Sequence, residues 1–474
     1  MRVLFVSSEV SPFAKTGGLA DVALALPRAL PELGVEIVVV MPKYRTVTGK
    51  SDMEASVRFD VEVAGEPKSC VAFRGALPET NVPVYFLGHD PYYDRPEIYG
   101  EGAEYEDALD RFTFLSRGAL ELCCTLDWIP DIIHVNDWHA SLVPGYLRDE
   151  VYPRLSRAKT LLTIHNLGYQ GSFPEEQAAR TGLSPTALAP YLANGRINML
   201  KGGIGSADMV NTVSPTYAEE ILSEGAGLEA DLQARRDVLF GVLNGIDMAE
   251  WNPAGDSFLW GTYDASDLSG KAENKRALQA ELGLAEDPST PVLGVVSRLA
   301  EQKGFDLIMA AFDEMMALDV QFVLLGTGAE EYERFFSEAQ ARYPGRVASL
   351  ITFSEQWAHR IEAAVDVFLM PSHYEPCGLN QQYSLRYGTI PIVRATGGLK
   401  DTVFEFDAEA DSGNGFLFEE CTPTALLETI RRAVAAFRGN PDGWRAMMVR
   451  GMTQDLSWTA SAKAYQDLYR KLGA

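Results

Sequence analysis

Short apolar runs alternate with amphipathic segments along the chain. The runs are VEIVVVMP, DIIHVND, TLLTIHN, DMVNTVS, PVLGVVSR, QFVLLGT, VDVFLMP and TIPIVRA. Runs that are apolar on both faces are typical of buried parallel strands, because helices cover both sides of such a sheet. Helical periodicity is recognisable in the segments 19–33, 214–223, 274–282, 305–316 and 424–437. The alternation predicts right-handed βαβ units and an α/β fold of doubly wound sheets.

The length of 474 residues predicts more than one domain. The best boundary is the segment Gly241–Asp256, GVLNGIDMAEWNPAGD, which is rich in turn-forming residues and precedes a new α/β series that begins at Pro291. We therefore expect two Rossmann-like domains, the first over residues 1–243 and the second over residues 244–456.

The last segment, about 457–474, predicts an amphipathic helix with aromatic residues at Trp458, Tyr465 and Tyr469. The pattern leaves open whether this helix packs back on the first domain or belongs to the second.

Composition indicates a globular protein, with 46% hydrophobic and 23% charged residues. No apolar run approaches the ~20 residues that span a bilayer. The N-terminal apolar stretch is short and ends at Glu9, unlike a signal peptide. We therefore expect a cytoplasmic protein with no membrane partner. The five cysteines show no C-x-x-C spacing, so we expect free thiols and no zinc site.

The formal net charge is −25. A surface this acidic repels nucleic acid and anionic lipid, whereas a neutral polysaccharide would not be repelled. An anionic ligand would need local positive charge at its site. Lysines and arginines near a binding motif are therefore informative in this chain.

Two nearly identical glycine turns lie at opposite ends of the chain. The first glycine turn is TGGLAD, Thr16–Asp21, and the second is TGGLKD, Thr396–Asp401. Each follows a strand-like run and precedes residues that can begin a helix. Backbone N–H groups of such turns can approach a phosphate, and a helix N-terminus adds about half a positive charge. The pair suggests a ligand held in a cleft between two domains.

Charged residues accompany the first glycine turn. Lys15 directly precedes it and could supply a point charge for the phosphates of a nucleotide. The alternative is a solvated loop lysine. Asp21 could bind a sugar hydroxyl, or it could be a helix-start residue favoured by the helix dipole.

The segment SRLAEQKGFDLI, Ser297–Ile308, follows a predicted strand of the second half. Arg298 and Lys303 lie just beyond the carboxyl end of that strand, where open α/β sheets bind ligands. An arginine and a lysine this close suggest a diphosphate clamp. The alternative is a surface pair that Glu301 neutralises.

The segment HYEPCGL, His373–Leu379, also follows a predicted strand. Glu375 could accept hydrogen bonds from sugar hydroxyls or stabilise positive charge that develops at an anomeric carbon. The alternative is a helix-capping glutamate. Cys377 has no neighbour that marks it as a nucleophile.

The segments HVNDWHAS, 134–141, and IHN, 164–166, close two strands of the first half. Asp137, His139 and His165 could ligate a metal, but their spacing matches no metal motif, which favours hydrogen bonding to substrate or neighbouring loops. Trp138 could stack on a sugar or fill the core. The aromatic loop 90–100 could meet a sugar chain or pack as an ordinary surface loop.

These motifs together resemble one family, the bacterial glycogen synthases and plant starch synthases, which are ADP-glucose-dependent retaining glycosyltransferases of the GT-B fold. The matching strings, in chain order, are KTGGLADV, HVNDWHAS, HNLGYQG, LNGID, SRLAEQKGFDLI, EPCGL and TGGLKDTV. The resemblance implies two Rossmann-like domains that face each other across a deep cleft.

The resemblance also implies a role for each matching position. As catalytic residues it implies Arg298, Lys303, Glu375, His165 and Asp137, with the cations on the diphosphate, Glu375 and His165 at the glucose, and Asp137 near the acceptor. As substrate-binding residues it implies Lys15, Thr16, Gly17, Gly18, Asp21, His139, Asn166, Asn244, Cys377, Gly378, Leu379, Thr396, Gly397 and Gly398. The chain's departures from the family string SRFEPCGLTQ include His373 and Asn380, both close to Glu375.

The resemblance implies transfer of glucose from ADP-glucose to the non-reducing end of an α-1,4-glucan, with retention and without a metal or other cofactor. Three alternatives stay open: a GT-B isomerase acting on a nucleotide-sugar, a glycogen phosphorylase with pyridoxal phosphate, and a glucan-binding module without turnover. The sequence does not decide between ADP-glucose and UDP-glucose or indicate an oligomeric state.

Overall fold

The computed structural model describes residues 1–47, 49, 52–101 and 104–473. The chain divides into two compact units: unit 1 comprises Met1–Asn244 and Trp458–Ala474, and unit 2 comprises Gly245–Ser457. Residue 474, which ends the predicted C-terminal segment, lies outside the described residues. No helix among those residues is both long and apolar enough to cross a bilayer.

Unit 1 is an α/β unit built on one large sheet. Its strands are β1 (Arg2–Val6), β2 (Glu36–Pro42), β3 (Glu54–Val63), β4 (Glu66–Ala76), β5 (Pro83–Gly88), β6 (Ile132–Asn136), β7 (Lys159–Ile164), β8 (Ser172–Pro174), β9 (Leu192–Ala193), β10 (Arg196–Asn198), β11 (Met209–Thr212) and β12 (Leu239–Gly241). Its first eight helices are α1 (Gly18–Ala29), α2 (Asp90–Tyr93), α3 (Ala108–Leu126), α4 (Leu142–Arg148), α5 (Pro185–Leu188), α6 (Met199–Ser206), α7 (Pro215–Glu220) and α8 (Glu229–Ala234).

Nine of these strands form the large sheet, in the order β12-β11-β7-β6-β1-β2-β5-β4-β3, and the other three form a small sheet in the order β8-β10-β9. Seven strands pair in parallel, and β4 pairs antiparallel with both β3 and β5. Strands β1, β6 and β7 are neighbours, with Val6 opposite Val135 and Asn136 opposite Thr163. Because these strands are parallel, the loops that follow them emerge at one edge of the sheet.

Unit 2 contains a smaller sheet that is entirely parallel. Its strands are β13 (Val292–Val296), β14 (Gln321–Leu325), β15 (Val347–Leu350), β16 (Val367–Met370), β17 (Ile390–Arg394) and β18 (Phe416–Phe418). Its helices are α9 (Ser269–Glu281), α10 (Phe305–Met316), α11 (Glu330–Arg342), α12 (Glu355–Ala364), α13 (Asn380–Arg386), α14 (Gly397–Thr402), α15 (Pro423–Gly439) and α16 (Pro441–Thr453).

The strand order in unit 2 is β15-β14-β13-β16-β17-β18. The order changes direction between β13 and β16, so the chain passes to opposite faces of the sheet from these two strands. Ligands of open α/β sheets bind at this switch point, beyond the carboxyl ends of the strands. The predicted α/β fold class with doubly wound parallel sheets is confirmed.

The last helix, α17 (Trp458–Lys471), packs into unit 1. Tyr465 and Tyr469 are fully buried. The Tyr469 hydroxyl lies 2.8 Å from Nδ1 of His134, and Nδ2 of Asn211 donates to the Tyr465 hydroxyl at 3.1 Å. Burial lowers the pKa of His134 to about 3, so its imidazole is neutral. These two hydrogen bonds, which lie within an apolar contact, fix the position of α17 on the large sheet.

Candidate functional site

The buried carboxylate of Glu9 organises the first glycine turn. Glu9 follows β1 and accepts hydrogen bonds from the Thr16 N–H at 2.5 Å, the Thr16 hydroxyl at 2.6 Å and the Gly17 N–H at 3.3 Å. The Tyr99 hydroxyl also donates to this carboxylate, at 2.6 Å from Oε1. In the sequence, Glu9 marks only the end of an apolar run. The available signal was an acidic residue between a buried strand and the turn.

Gly17 and Gly18 are not required by the backbone conformation or by local packing. Gly17 has φ −155° and ψ −168°, an extended conformation that any residue adopts. A Cβ at either glycine would meet no atom of the described residues within 4 Å. The turn therefore presents bare backbone to open space at the N-terminus of α1, which suits the close approach of a ligand.

Lys15 and Asp21 form an ion pair across the first glycine turn, with 2.6 Å between Nζ and Oδ1. Their side chains are 51% and 33% exposed, and a pair of this kind stabilises a protein by about 0–1 kcal/mol. An anion can therefore attract Lys15 away from Asp21 at little cost.

Asn244, the predicted binding residue near the domain boundary, is buried at the end of unit 1.

Asp137 and His165 meet at the carboxyl ends of β6 and β7. The His165 N–H donates to Oδ1 of Asp137 at 2.7 Å, and Nε2 of His165 lies 3.0 Å from Oδ1 of Asn136. Desolvation raises the pKa of Asp137 to about 7, against the lowering effect of backbone hydrogen bonds from His165 and Asn166. Burial lowers the pKa of His165 to about 3. This pair therefore offers a neutral imidazole and a carboxyl that can change charge near neutral pH.

Asn166 and His139 lie in the same loops but make different contacts. Oδ1 of Asn166 accepts the Gly168 N–H at 2.9 Å. His139 is buried between aromatic rings, with centroids 4.0 Å from Trp138 and 4.9 Å from Tyr99. Its Nδ1 has no hydrogen-bond partner among the described residues, and burial holds its pKa well below the usual value.

Trp138 fills the core and does not offer a stacking face. The side chain is 2% exposed, and a Cβ added at Gly171 would lie 2.2 Å from its ring. The aromatic loop 90–100 is also packed: Tyr92 and Tyr93 are buried, and Tyr99 bonds to Glu9. For both Trp138 and the aromatic loop 90–100, the structure therefore shows the alternative in which the side chains pack against the protein.

In unit 2, Lys303 and Glu375 form a short ion pair at the switch point of the sheet. Nζ of Lys303 lies 2.6 Å from Oε2 of Glu375, whose side chain is only 7% exposed, and the Ser372 hydroxyl donates to the same oxygen at 3.1 Å. Arg298 is exposed beyond β13, and among the described residues its guanidinium has no hydrogen bond or ion pair. We name Arg298, Lys303 and Glu375 the unit 2 cluster.

The second glycine turn supports the segment that carries Glu375. Gly397 has φ +44°, and a Cβ there would lie 1.9 Å from the Glu375 carbonyl oxygen. A Cβ at Gly398 would lie 2.1 Å from the Cys377 carbonyl oxygen, and the Gly398 N–H donates to the carbonyls of Glu375 and Pro376 at 3.3 Å. The two glycines are thus required by packing, and the two turns differ despite their shared letters.

The remaining residues of this segment are placed by the same packing. Thr396 and Cys377 are buried, Gly378 has φ +72°, and Leu379 directly precedes α13. The carbonyl of Gly378 accepts the side-chain amides of Gln381 and Gln382, at 3.0 and 3.2 Å. The backbone around residues 377–379 is therefore held rigidly at the start of a helix.

The two departures from the family string have structural partners. Nε2 of His373 lies 2.8 Å from Oδ1 of Asp306, and its Nδ1 lies 3.1 Å from Sγ of Cys421. Nδ2 of Asn380 donates to the Val296 carbonyl at 2.6 Å. His373 therefore bonds to residues outside the unit 2 cluster, and Asn380 ties α13 to the end of β13.

Family models and known proteins match the chain over most of its length. A model of the starch synthase catalytic domain matches residues 2–234, and a model of glycosyl transferases group 1 matches residues 277–436. A glycogen synthase of Anaeromyxobacter sp. (strain Fw109-5) is 49% identical, with 100% of both chains covered. A glycogen synthase of Thermotoga maritima is 44% identical, with 99% of both covered.

A solved structure agrees with these relatives. The catalytic domain of starch synthase IV from Arabidopsis thaliana, bound to ADP and acarbose, superposes with a TM-score of 0.89 at 35% identity and covers 99% of each chain. On full-length identity to curated relatives and on both family models, the chain belongs to the glycogen and starch synthase family of glycosyltransferases.

Proposed function

We propose that the chain transfers a glucosyl unit from ADP-glucose to the non-reducing 4-hydroxyl of an α-1,4-glucan, with retention of configuration and without a metal ion. Family membership supports glucosyl transfer, and the relative of 35% identity carries ADP and acarbose. The choice of ADP-glucose over UDP-glucose rests on that relative alone.

The observation that carries this proposal is the unit 2 cluster. Its ammonium and its guanidinium, which is unpaired among the described residues, lie beyond β13, at the position where open α/β sheets bind phosphates. In a chain with net charge −25, two cations at this point are well suited to hold a diphosphate. Glu375 then keeps Lys303 in position, because its carboxylate is buried and pairs with Nζ.

The reaction that follows from this placement is a front-face displacement. The bond between the anomeric carbon and the diphosphate oxygen breaks, and that oxygen leaves with the bonding electron pair as ADP. The 4-hydroxyl of the acceptor bonds to the anomeric carbon from the same face, and its proton passes to the leaving diphosphate oxygen. Arg298 and Lys303 stabilise the charge that develops on the diphosphate, which is the role of preorganised cations in transition-state stabilisation.

Residues of unit 1 complete the proposed roles. We assign Lys15 and the bare backbone of Gly17 and Gly18 to contacts with the nucleotide-sugar, since the turn is open and the Lys15 ammonium is held only by an exposed ion pair. His165 and Asn166 would bind the C6 edge of the glucose, and Asp137 would lie on the acceptor side. Unit 1 would thus contact the glucose and the acceptor, and unit 2 would hold the diphosphate.

The test offers labelled ADP-glucose and UDP-glucose separately with glycogen and scores label in precipitated polymer. We expect label from ADP-glucose, α-linkages in the product by proton NMR, and an unchanged rate in a chelator. Label from neither donor would overturn the transfer proposal. Release of altered free sugar without polymer growth would identify an isomerase, and a β-linked product would contradict retention.

A further inference from the structure

A second group of ligand-type side chains lies in unit 2 and shares no residue with the unit 2 cluster. Glu250 belongs to the segment that precedes α9, and Glu355 and His359 lie one turn apart on α12. One ligand atom from each of these three residues lies within 4.8 Å of the other two. The two glutamates are exposed and the histidine is buried.

The imidazole of His359 is oriented by a buried carboxylate. Nδ1 of His359 lies 2.7 Å from Oδ2 of Asp256, and the Tyr387 hydroxyl donates to the same oxygen at 2.6 Å. In the neutral tautomer that donates from Nδ1 to Asp256, Nε2 carries the lone pair. Nε2 is buried and has no hydrogen-bond partner among the described residues. An unpaired buried acceptor is costly, and a carboxylate-oriented imidazole with its second nitrogen available is typical of metal ligands.

The charges around His359 also favour a cation. Glu250 and Glu355 bring two like charges close together, and a cation between them would relieve their mutual repulsion. Arg360, the neighbouring arginine, is directed elsewhere: its Nε donates to the Phe258 carbonyl at 2.9 Å and its Nη1 pairs with Glu281. Among the described residues, no hydrogen bond or ion pair engages the Glu355 carboxylate.

We propose that Glu250, Glu355 and Nε2 of His359 form a binding site for a divalent transition-metal ion, with Zn²⁺ as the best match. One imidazole and two carboxylates are ligands that Zn²⁺ accepts in a tetrahedral set, with water in the fourth position. Mg²⁺ and Ca²⁺ prefer oxygen-only ligands, so the imidazole disfavours them. The ion would tie the segment of Glu250 to α12 and takes no part in glucosyl transfer.

Trp251 gives this site an intrinsic reporter. Its ring stacks on His359 with centroids 3.9 Å apart and on Tyr383 with centroids 3.6 Å apart. A paramagnetic ion bound to Nε2 would therefore quench the fluorescence of Trp251. Replacement of Trp251 by phenylalanine should reduce the quenching and leave the affinity for the metal ion unchanged.

The experiment uses the full chain without an affinity tag, freed of metal by a chelator and dialysed. Zn²⁺ binding is measured by calorimetry, and Co²⁺ binding by visible absorption and by fluorescence. We expect a single Zn²⁺ per chain, and an affinity reduced at least about tenfold in Glu355→Gln and in Glu250→Gln. These surface substitutions keep the side-chain shape. The matched control is Glu331→Gln, an exposed glutamate in the first turn of α11, which should bind as the unmodified chain does.

Three outcomes would overturn the proposal. One is the absence of Zn²⁺ binding, and another is binding that both glutamine variants retain. The third is binding that survives Glu355→Gln and is lost in Cys421→Ser, because the ion would then lie at the close contact of Cys421 with His373. None of these results bears on glucosyl transfer, which the polymer assay measures separately.

Discussion

Each of the two predicted lysines is paired with a carboxylate, but the two pairs differ in burial. Lys15–Asp21 is half exposed, whereas Glu375 in the pair with Lys303 is almost fully buried. A buried carboxylate keeps its partner in one place, because removal of that partner would leave an unpaired charge. Lys303 is therefore preorganised in a way that Lys15 is not. This difference depends on burial, which the sequence pattern around each lysine does not reveal.

Arg298→Ala should lower kcat/KM for ADP-glucose by roughly a hundred- to a thousandfold, because one preorganised charge on the leaving group is lost. The side chain is exposed and makes no hydrogen bond or ion pair among the described residues, so the unfolding temperature should not change. Initial rates and thermal unfolding measure the two effects. Arg334→Ala, at an exposed arginine of α11, is the control and should leave both unchanged. Full activity of Arg298→Ala would remove the assigned role.

Asp137 should make stability depend on pH near neutrality. Its pKa is raised to about 7 in the folded chain, above the unfolded value. The folded state therefore binds the extra proton, and stability is present at low pH and lost as pH rises towards 7, by at most about 1.4 kcal/mol per pH unit. Asp137→Asn mimics the protonated form and still accepts the His165 N–H. Between pH 5 and pH 7, the free energy of unfolding of the variant should therefore rise relative to that of the unmodified chain, by at most about 1.4 kcal/mol per pH unit.

Unfolding at several pH values measures this difference directly. Subtraction of the variant from the unmodified chain cancels the contributions of the other carboxylates. A difference that stays constant from pH 5 to pH 8 would show that Asp137 is ionised throughout that range.

At the scale of elements, the parallel strands could be read from the sequence and the antiparallel hairpin could not. The buried runs that become β6, β7 and β13 are apolar on both faces, which is a strong signal. Strands β3 and β4 are largely exposed on one face, and their turn at Ala64–Gly65 uses two positive φ values. Such turns favour Asn-Gly or Asp-Gly. Ala-Gly is a weak signal, so the sequence does not predict this hairpin.

The two glycine turns are nearly identical in sequence, but their surroundings in the structure differ. Gly17 and Gly18 face open space, whereas Gly397 and Gly398 abut the backbone of the segment with Glu375. In the first turn, glycine therefore leaves room for a ligand. In the second turn, glycine leaves room for the protein's own backbone. Only the packed structure separates the two, since the partner of the second turn is distant in sequence.

Alanine at the two turns should therefore give opposite results. Gly18→Ala should keep the unfolding temperature, because Gly18 begins α1 and a Cβ meets no described atom. Its KM for ADP-glucose should rise, because the Cβ obstructs the donor. Gly397→Ala should lower the unfolding temperature markedly, since φ is +44° and the Cβ would lie 1.9 Å from the Glu375 carbonyl. Equal behaviour of the two variants in thermal unfolding and kinetics would contradict this distinction.

For the whole molecule, charge is the property that the sequence alone determines most fully. A net charge of −25 and a cationic site act on an anionic donor in opposite directions. Their ranges differ, because the cations of the unit 2 cluster act at contact distance and the net charge acts over the Debye length. Which effect controls binding therefore depends on ionic strength.

We expect the KM for ADP-glucose to fall as salt rises from about 10 mM to about 150 mM, because the Debye length shrinks from about 30 Å to about 8 Å. The donor is then screened from the distant acidic surface while Arg298 and Lys303 still contact it. Steady-state kinetics in KCl measure the effect. The uncharged glucan supplies an internal control, since its KM should not change over the same range. A KM for ADP-glucose that rises steadily with salt would show instead that local attraction governs the approach of the donor, and that the acidic surface has no influence on it.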